Sequence, residues 1–463
     1  MASIENYDVV VLGSGEAGKF IAWHLASAGK RAAVIERKYL GGACPNIACL
    51  PSKNVIQSAK VASYFQRSEV YGIHKPEWSV SMPGVHAHKQ AMVADLHQMH
   101  LDNFAKSGAE IVMGEGRFIA EKTVEVSLHD GGVRRLRGDL VFINTGTRAR
   151  IDPVPGLAEA SPLTHVEALD LETLPEHLLV LGGGYVGLEF AQAMRRFGSQ
   201  VTVIESHSRL VHREDEDVSA ALEDLFRDEG IDVIADARVD RVEGKSGDQI
   251  TLFLTRDGTG VTVRGSHLLL ATGRTPNTGG IGLEAAGIAL TERGFVKVND
   301  KLETTAPGVW ALGDCAGSPV FTHISFDDFR IVAANLAGGN RTTTGRQVPS
   351  CLFTDPEFAS VGLTENEAKQ QGIAYRVGKV PMKATLRTRA VSETRGFLKV
   401  LISQADDRIL GSAGFGVSAG ETMAAIQVAM KANLTCQDMR DMIIAHPTFA
   451  EGIISLFSSV PPK

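Results

Sequence analysis

Two cysteines, Cys44 and Cys49, stand close together in the segment GGACPNIACLPSK, which runs from Gly41 to Lys53. Four residues separate them, a spacing wider than the C-x-x-C of a thioredoxin-like redox motif. A structural zinc site would need a second cluster of ligands, and none accompanies this pair. From these residues alone, the pair is either a redox-active dithiol or two buried free cysteines on one helix.

The two cysteines can form a disulfide only if the backbone between them departs from a regular helix. The sequence from Cys49 onward favours a helix, in which residues five apart lie about 140° around the axis and roughly 8–9 Å apart. A disulfide needs Cα atoms within about 7 Å. Pro51 has no N–H to donate to Ile47 and clashes with its carbonyl, and Pro45 also lacks a donor. We therefore predict that the prolines loosen this turn, and that the resulting strained bridge is easily reduced.

The surrounding elements include two copies of a dinucleotide-binding pattern. Each copy has an apolar strand, a G-x-G-x-x-G turn, a helical stretch, a second apolar strand and a terminal acid. The first turn is GSGEAG at 13–18 with Glu36 as its acid, and the second is GGGYVG at 182–187 with Glu205. The glycines let a pyrophosphate approach the helix N-terminus, and the acid binds a ribose hydroxyl. One copy alone could be an ordinary glycine-rich turn, but two copies predict two dinucleotides, or two substrates in sequence.

The order of these patterns divides the chain into segments. Three further apolar strands end in Thr-Gly or Gly-Asp, where ligands meet such sheets: 141–146, 268–277 and 308–317. After about Gly339, alternating strand patterns and two helical stretches, near 421–432 and 436–445, predict an α+β region. We predict an α/β fold with two dinucleotide-binding regions, followed by an α+β third domain.

The composition argues against several classes of function. The chain has 463 residues, of which 44% are hydrophobic and 22% charged, and its net charge is −7 without a basic tract, which argues against nucleic-acid binding. No apolar run approaches the roughly 20 residues of a membrane span. The N-terminus lacks a signal-peptide pattern, so a cytoplasmic location is predicted. Five cysteines do not fit a secreted disulfide framework, and a disulfide in a reducing cytosol is usually transient and catalytic.

Together, these motifs resemble the FAD-dependent pyridine nucleotide-disulfide oxidoreductases, the class I family that includes dihydrolipoamide dehydrogenase, glutathione reductase and mercuric reductase. The resemblance covers essentially the whole chain, in the order of the family. The matching segments are GSGEAG with Glu36, GGACPNIACLPSK, GGGYVGLEFA with Glu205, ATGRTPN, ALGD and AHPTFAEG. It implies two Rossmann-like domains, for FAD (1–150 and 271–343) and for NAD(P) (151–270), and a C-terminal α+β dimerisation domain (344–463).

The resemblance also implies a route for electrons. Hydride passes from NAD(P)H to FAD, which reduces the disulfide. Cys49 would face the flavin as a thiolate, and Cys44 would attack the substrate disulfide. His446 of the partner subunit would take and return the thiol proton, and Glu451 would orient it. The active unit is therefore expected to be a homodimer with an active site shared between the subunits.

Cofactor-binding residues follow from the same resemblance. Lys53 and Glu189 match a catalytic pair beside the flavin and the nicotinamide. The residues implied for FAD are Gly13, Ser14, Gly15, Ala17, Gly18, Glu36, Gly42, Ala43, Lys53, Gly116, Thr145, Gly146, Arg274, Gly313 and Asp314. Those implied for NAD(P) are Gly182, Gly184, Tyr185, Val186, Gly187, Glu205 and Gly273. A carboxylate at Glu205 accepts ribose hydroxyls and repels a 2′-phosphate, so a preference for NADH is expected, although His207 and Arg209 lie nearby in sequence.

Some residues depart from the family pattern. The redox segment carries Ala43, Pro45 and Ala48 where the family has threonine, an aliphatic residue and glycine. The stretch FTHISFDDFRIV at 321–332 resembles the mercuric-reductase-like branch more than dihydrolipoamide dehydrogenase. The vicinal C-terminal cysteines of mercuric reductases are absent from the sequence, however, and His446, which those enzymes lack, is present.

These observations leave one leading function and two alternatives. The leading hypothesis is a disulfide reductase most like dihydrolipoamide dehydrogenase. The first alternative is a reductase of a metal ion, such as Hg²⁺ or Cu²⁺, or of a quinone. The second is a non-catalytic structural subunit, which the full set of motifs disfavours.

Several other side chains are expected to have structural or surface roles. No metal site is predicted, because His97 and His100 share a helix face without a cysteine or carboxylate to complete a ligand set, and a solvated face is the expectation. Tyr185 matches the tyrosine lid over the flavin in glutathione reductase, where dihydrolipoamide dehydrogenases usually carry an aliphatic residue. The cysteines expected to be structural and inert are Cys315, Cys351 and Cys436.

Overall fold

The structure, a computed structural model, describes residues 3–74 and 77–463. These residues form twenty β-strands, β1–β20, and thirteen α-helices, α1–α13. In chain order, the strands are Ile4–Leu12, Ala32–Glu36, Glu110–Ala120, Thr123–Leu128, Val133–Ile143, Thr147–Ala149, His177–Leu181, Gln200–Ile204, Asp232–Ile234, Ala237–Gly244, Ile250–Arg256, Thr259–Gly265, His267–Leu270, Arg274–Pro276, Val309–Ala311, Ser350–Leu352, Glu357–Gly362, Tyr375–Pro381, Phe397–Ser403 and Ile409–Gly416. The helices are Glu16–Ser27, Ala43–Ile47, Cys49–Gln66, Met82–Ser107, His165–Leu169, Tyr185–Phe197, Glu216–Asp228, Thr322–Leu336, Glu365–Gln370, Leu386–Ala390, Ala419–Lys431, Cys436–Arg440 and Gly452–Ser458.

The chain divides into two compact units. The first unit contains residues 1–54, 86–150 and 273–346, and the second contains residues 55–85, 151–272 and 347–463. The sequence placed all of 1–150 in one domain, whereas residues 55–85 belong to the second unit. Apolar packing explains this difference, because Val55 and Ala59 on α3 are buried in the same hydrophobic cluster as Phe190 on α6.

The first unit is built on a parallel sheet with the strand order β3-β2-β1-β5-β15. Its central strand β1 is buried from Val9 to Leu12, as expected for a parallel strand covered on both faces. The register pairs Leu12 with Ile35 on β2 and with Ile143 on β5, and Ile143 pairs with Ala311 on β15. The carboxyl ends of these four strands therefore meet at one edge, where ligands bind in such sheets. Beyond the parallel part, β3, β4 and β5 form an antiparallel meander.

The second unit contains a smaller parallel sheet and two antiparallel sheets. The parallel sheet has the order β13-β7-β8-β9, and the carboxyl ends of β7 and β8 align through the pair Leu181 and Ile204. One antiparallel sheet comprises β10, β11 and β12. The other has the order β16-β17-β20-β19-β18, and its apolar cluster includes Val400, Ile426 on α11 and Phe457 on α13.

The predicted fold class is confirmed: two parallel, helix-covered nucleotide-binding folds are accompanied by a C-terminal α+β region. The predicted helix at 436–445 is shorter than expected, since α12 ends at Arg440. The apolar residues that favoured a longer helix find no core there, because Met442 is exposed and Ile443 is wholly exposed. Within residues 3–74 and 77–463, no helix combines the length and the apolarity of a membrane span.

A buried cation ties three parts of the second unit together. Lys399 on β19 is 1% exposed, and its Nζ lies 2.7 Å from Asp215, 2.9 Å from Asp217 and 3.1 Å from Glu365. Asp215 also accepts hydrogen bonds from the first backbone N–H groups of α9. The ammonium therefore neutralises carboxylates that come from separate segments.

We expect Lys399→Met to lower the free energy of unfolding by about 3–5 kcal/mol, because the buried Asp215 carboxylate would be left without its cation. Urea unfolding followed by circular dichroism measures this loss as a lower transition midpoint. Lys245→Met, at an exposed position, is the matched control and should change stability by less than about 0.5 kcal/mol. Equal midpoints for the two variants would contradict this role for Lys399.

Candidate active site

The first glycine-rich turn forms a closely packed connection from β1 to α1. Gly13 has a φ of +98°, and a Cβ there would lie 2.4 Å from the Asn144 carbonyl oxygen. A Cβ on Gly18 would lie 2.2 Å from the carbonyl oxygen of Gly13, so helix and turn pack as closely as the pattern requires. The twelve-residue α1 begins at Gly15 without a side-chain cap. This positive helix end fits a pyrophosphate, and the buried Ala17 lies in its first turn.

A hydrogen-bond chain links this turn to the acid of β2 and to the redox segment. The Ser14 hydroxyl donates to Glu36 at 2.7 Å and accepts from the backbone N–H of Gly41 at 2.9 Å. The backbone N–H of Ser14 also donates to Glu36 at 3.0 Å. Gly42 has a φ of +82°, and a Cβ there would lie 2.5 Å from the Cα of Gly15. The segment that carries the cysteines is thus packed directly against the first glycine-rich turn.

The other residues implied for FAD also lie in the first unit. They are Gly42, Ala43, Lys53, Gly116, Thr145, Gly146, Arg274, Gly313 and Asp314. Asp314 accepts from the Thr147 hydroxyl at 2.6 Å, and that hydroxyl accepts from Nε of Arg274 at 2.6 Å. Gly116 on β3 differs from the rest, because the space for its Cβ is filled by the side chain of Leu12 on β1, 2.7 Å away. These residues fit a bound flavin dinucleotide, with Gly116 explained by strand packing.

The second glycine-rich turn repeats the first with more open surroundings. Gly182 has a φ of +109°, and a Cβ on Gly187 would lie 2.1 Å from the carbonyl oxygen of Gly182. A Cβ on Gly184, the first residue before α6, would meet no atom within 4 Å. The helix again begins without a side-chain cap, and Val186 in its first turn is exposed. This open helix end fits a second dinucleotide, whereas Gly273, also predicted there, belongs to the first unit.

Glu205, the acid of the second pattern, is buried and accepts hydrogen bonds at both carboxylate oxygens. One carboxylate oxygen accepts from the backbone N–H of Gly183 at 2.7 Å. The other accepts from the backbone N–H of His207 at 2.8 Å and lies 2.6 Å from its Nδ1. These bonds hold the pKa of Glu205 below its usual value, although burial opposes them. Arg209 points elsewhere, because its Nη2 donates to the backbone carbonyls of His212 and Glu214.

Tyr185 is held by two polar partners in the second unit. Its hydroxyl lies 3.0 Å from Glu214 and 3.1 Å from the Ser350 hydroxyl. Burial raises the pKa of Glu214 to about 7, and burial together with Glu214 raises the pKa of Tyr185. Sequence reasoning missed Glu214 and Ser350, since neither belongs to a recognisable pattern.

The two cysteines stand on either side of a helix break. Cys44 lies in α2, Cys49 begins α3, and Ala48 between the helices has a φ of −136° and a ψ of −104°. Pro51 falls in the first turn of α3, where a missing N–H costs little. The expected departure from a regular helix is therefore present, but its centre is Ala48, and Pro45 lies within α2.

The two thiols have very different acidities. Both cysteines are free thiols in the structure. The hydrogen bond from Cys44 is the largest cause that lowers the pKa of Cys49 to about 6, and the Thr322 hydroxyl, 3.2 Å away, and the charge of Lys53 act in the same direction. The same contact and burial raise the pKa of Cys44 well above its usual value. Cys49 is therefore the thiolate at neutral pH. Thr322 was not predicted, although it lies in the stretch 321–332 that departs from dihydrolipoamide dehydrogenase.

A buried polar chain lies behind the redox segment. Lys19 Nζ lies 2.8 Å from Glu16 and donates to Nε2 of His100 at 2.9 Å. Nδ1 of His100 therefore carries the ring proton and donates it to the carbonyl oxygen of Leu96 at 2.6 Å. Burial lowers the pKa of this histidine. The expectation of a solvated face is wrong for His100, which is 2% exposed and packs against Gly41.

A cavity of about 530 Å³ adjoins Cys44 within the first unit. Apolar side chains, among them Phe20, Trp23 and Met99, form much of its wall. Lys19 and His100 contribute polar groups to the same wall. Cys44 therefore borders a mixed apolar and polar space large enough for a small molecule.

The remaining predicted catalytic residues are Lys53, Glu189, His446 and Glu451. Glu189 on α6 is buried and accepts from the backbone N–H of Phe353 at 2.9 Å, so it is not a solvated helix charge. Lys53 is half-buried on α3. His446 is exposed, and its Nδ1 lies 3.0 Å from both carboxylate oxygens of Glu451. If Nδ1 donates to this carboxylate, Nε2 is the nitrogen that can accept a proton.

The three other cysteines match their expected structural roles only in part. Cys315 and Cys436 are buried, and burial raises the pKa of each thiol, which disfavours reactive thiolates. Cys351 is half-buried on β16. Their inertness stays a prediction.

We expect Gly42→Ala to yield protein with little bound flavin, because its Cβ would collide with the backbone of the first glycine-rich turn. The measurement is flavin absorbance per purified chain. Gly29→Ala is a matched control: its φ of +84° gives similar backbone strain, but a Cβ there meets nothing within 4 Å. Loss of flavin from both variants, or from neither, would contradict the close docking of the two turns.

In the reduced protein, we expect Cys49 to titrate with a pKa of about 6. Alkylation by iodoacetamide should therefore be slow below this pH and fast above it, because the thiolate is the nucleophile. Thr322→Val and Cys44→Ala each remove a hydrogen-bond donor that stabilises the thiolate, so each should raise the pKa. A titration midpoint near the ordinary thiol value in the unmodified protein would contradict this electrostatic picture.

Comparisons with known proteins agree with this architecture. Residues 7–328 match the family described as pyridine nucleotide-disulphide oxidoreductase, and residues 348–456 match the dimerisation domain of the same family. The chain is 35% identical over 463 residues to the probable pyridine nucleotide-disulfide oxidoreductase RclA of Escherichia coli (strain K12), which covers 99% of this chain and 100% of that protein. It is 36% identical over 452 residues to a mercuric reductase of Streptomyces lividans, which covers 97% and 95% of the two chains.

A solved structure gives the same result. The Cu(II) complex of HOCl-induced flavoprotein disulfide reductase RclA from Escherichia coli superposes with a TM-score of 0.89 at 34% identity, over 98% of this chain and 99% of that one. The resemblance inferred from the motifs is thereby confirmed. The chain belongs to the pyridine nucleotide-disulphide oxidoreductase family.

Proposed function

We propose that the protein is an NAD(P)H-dependent, FAD-containing reductase that passes electrons through Cys44 and Cys49 to a disulfide. The observation that carries this proposal is the hydrogen bond between the two thiols, which favours the thiolate at Cys49 and the protonated thiol at Cys44. Such a pair is primed for thiol–disulfide exchange. Bound FAD would supply the two-electron chemistry that connects a nicotinamide to this pair.

The protein residues would carry the exchange in two steps. In the reduced protein, the Cys44 thiol gives its proton to His446 of the partner subunit, and its sulfur attacks one sulfur of the substrate disulfide. A mixed disulfide forms, and the first substrate thiolate leaves and takes that proton. The Cys49 thiolate then attacks Cys44 Sγ, which closes the Cys44–Cys49 disulfide and releases the second thiolate, protonated from solvent. Overall, NAD(P)H, one proton and one disulfide give NAD(P)⁺ and two thiols.

The raised pKa of Cys44 explains why a base is needed. This thiol keeps its proton beside the Cys49 thiolate, so it cannot act as a nucleophile until the proton is removed. His446 suits that task, because Glu451 would orient the ring through Nδ1 and leave Nε2 for the proton. The match of 348–456 to a dimerisation domain supports a homodimer, in which this histidine would reach the cysteines of the second subunit.

Further observations support a particular nucleotide donor and a particular type of substrate. Glu205 supports NADH as the preferred donor, since a buried carboxylate disfavours a 2′-phosphate and Arg209 is engaged by backbone carbonyls. The cavity beside Cys44 suits a small disulfide with an apolar body, such as lipoamide. A cytoplasmic location stays a prediction from the sequence.

A metal ion is the second candidate for the electron acceptor. The 36% identity to a mercuric reductase and the Cu(II) complex of the related flavoprotein support it. An ion such as Hg²⁺ would take two electrons from NAD(P)H and leave as Hg⁰. Metal-dependent oxidation of NAD(P)H without turnover of any disulfide would favour this candidate over the first.

Turnover of a small disulfide such as lipoamide by NADH should vanish in Cys44→Ser, which removes the attacking sulfur. In His446→Ala it should fall by about 10²–10⁴-fold, the usual contribution of a general acid–base group. Steady-state oxidation of NADH at 340 nm measures both. The exposed His97→Ala serves as the histidine control and should keep full turnover. Full activity in both active-site variants would remove these residues from the proposed mechanism.

The shared active site can be tested with mixed dimers. A heterodimer of one Cys44→Ser subunit and one His446→Ala subunit contains one intact site only if cysteine and histidine come from different chains. Purified heterodimers carrying two affinity tags should then show about half of the unmodified turnover, as two-fold symmetry requires. If each site were built from a single chain, the heterodimer would be no more active than the two parent variants.

A further inference from the structure

Within the part of the chain that the structure describes, one group of three side chains has the donor atoms of a metal site. The ligand atoms of Glu205, His207 and His212 all lie within 4.8 Å of one another. His207 Nδ1 is 2.6 Å from the Glu205 carboxylate, and the rings of His207 and His212 are stacked with centroids 3.5 Å apart. Two imidazoles and a buried carboxylate therefore converge at the carboxyl end of β8.

The backbone that presents His212 is strained. Val211 has a φ of +41°, a conformation that a β-branched residue rarely adopts. Its N–H donates to the carbonyl oxygen of Gly183 at 2.9 Å, and Arg209 donates to the carbonyl oxygen of His212 at 2.9 Å. These contacts fold the loop back over the glycine-rich turn and bring His212 against His207. Strain of this kind persists where the surrounding structure enforces it, and it concentrates at functional sites.

We propose that Glu205, His207 and His212 form a binding site for a divalent transition-metal ion. Two histidine nitrogens and one carboxylate oxygen are a donor set that Zn²⁺ and its neighbours in the first transition row accept, with water in the open position. Binding requires the stacked rings to turn so that their nitrogens face the ion. His207 can do so readily, since its side chain is 51% exposed. The ion would replace the bond between His207 Nδ1 and Glu205.

The position of the site gives it a consequence for the enzyme. Glu205 is the carboxylate proposed to hold the nucleotide ribose, so this consequence rests on the proposed function. A carboxylate that ligates a metal ion cannot also accept the ribose hydroxyls. Metal ion and NAD(P)H therefore compete, and the ion slows electron entry without taking part in electron transfer.

The direct test is Zn²⁺ binding to the flavin-containing protein, measured by isothermal titration calorimetry. Zn²⁺ also binds dithiols, so all measurements use a Cys44→Ser/Cys49→Ser background. We expect one ion to bind per chain, and His207→Ala/His212→Ala in that background to abolish binding. His97→Ala, at an exposed helix position, should retain it. Absence of binding, or equal binding by the double-histidine variant, would overturn the site.

The competition is tested by stopped-flow reduction of the flavin by NADH, which does not need the cysteines. Zn²⁺ should raise the NADH concentration for half-maximal rate and leave the limiting rate unchanged. For each variant, the half-maximal NADH concentration with Zn²⁺ is divided by that without Zn²⁺. This ratio should fall to one when both histidines are replaced. A Zn²⁺ effect that persists in that variant would refute competition at this site. Failure of NADH to reduce the flavin at all would refute the proposed function, and the calorimetry would still decide whether the ion binds.

Discussion

The rest of the first unit depends on one constraint, the close packing of the redox segment against the first glycine-rich turn. Gly42 lies so close to Gly15 that a single Cβ would be 2.5 Å from its Cα. The Ser14 hydroxyl bridges the two segments, since it accepts from Gly41 and donates to Glu36. Both segments must therefore be glycine-rich at the contact. The two cysteines, which lie two and seven residues beyond Gly42, therefore have a fixed position relative to whatever the turn binds.

The pKa values of the two neighbouring thiols are shifted in opposite directions, although both thiols lie in the same environment. Burial alone would raise the pKa of both. The pKa of Cys49 is nevertheless lowered, because Cys44, Thr322 and Lys53 all stabilise its thiolate. The Cys44 proton is held in turn by the thiolate it stabilises, so each thiol fixes the state of the other. The break at Ala48 is what permits this contact, because a continuous helix would turn the two side chains to different faces.

The parts of the structure that the sequence predicted are those governed by local stereochemistry. Both glycine-rich turns and the acids Glu36 and Glu205 were found, because backbone sterics and strand–helix order leave a clear spacing. The departure from helix was expected from the prolines, but its centre lies at Ala48, whose residue type gives no such signal. Long-range partners left no local signal, and the burial of His100 against Lys19 was therefore missed.

The two glycine-rich turns also differ in a way that their sequences cannot reveal. The first is crowded by Asn144 and Gly42, so a Cβ at Gly15 would collide with an amide oxygen 2.4 Å away. The second is open, and a Cβ at Gly184 would touch nothing. A crowded turn closed in by a second segment suits a cofactor that stays bound through many turnovers. An open turn suits a nucleotide that must enter and leave in each cycle. The same motif can thus serve as a permanent and as an exchanging site, because residues distant in sequence determine how much of the turn remains accessible.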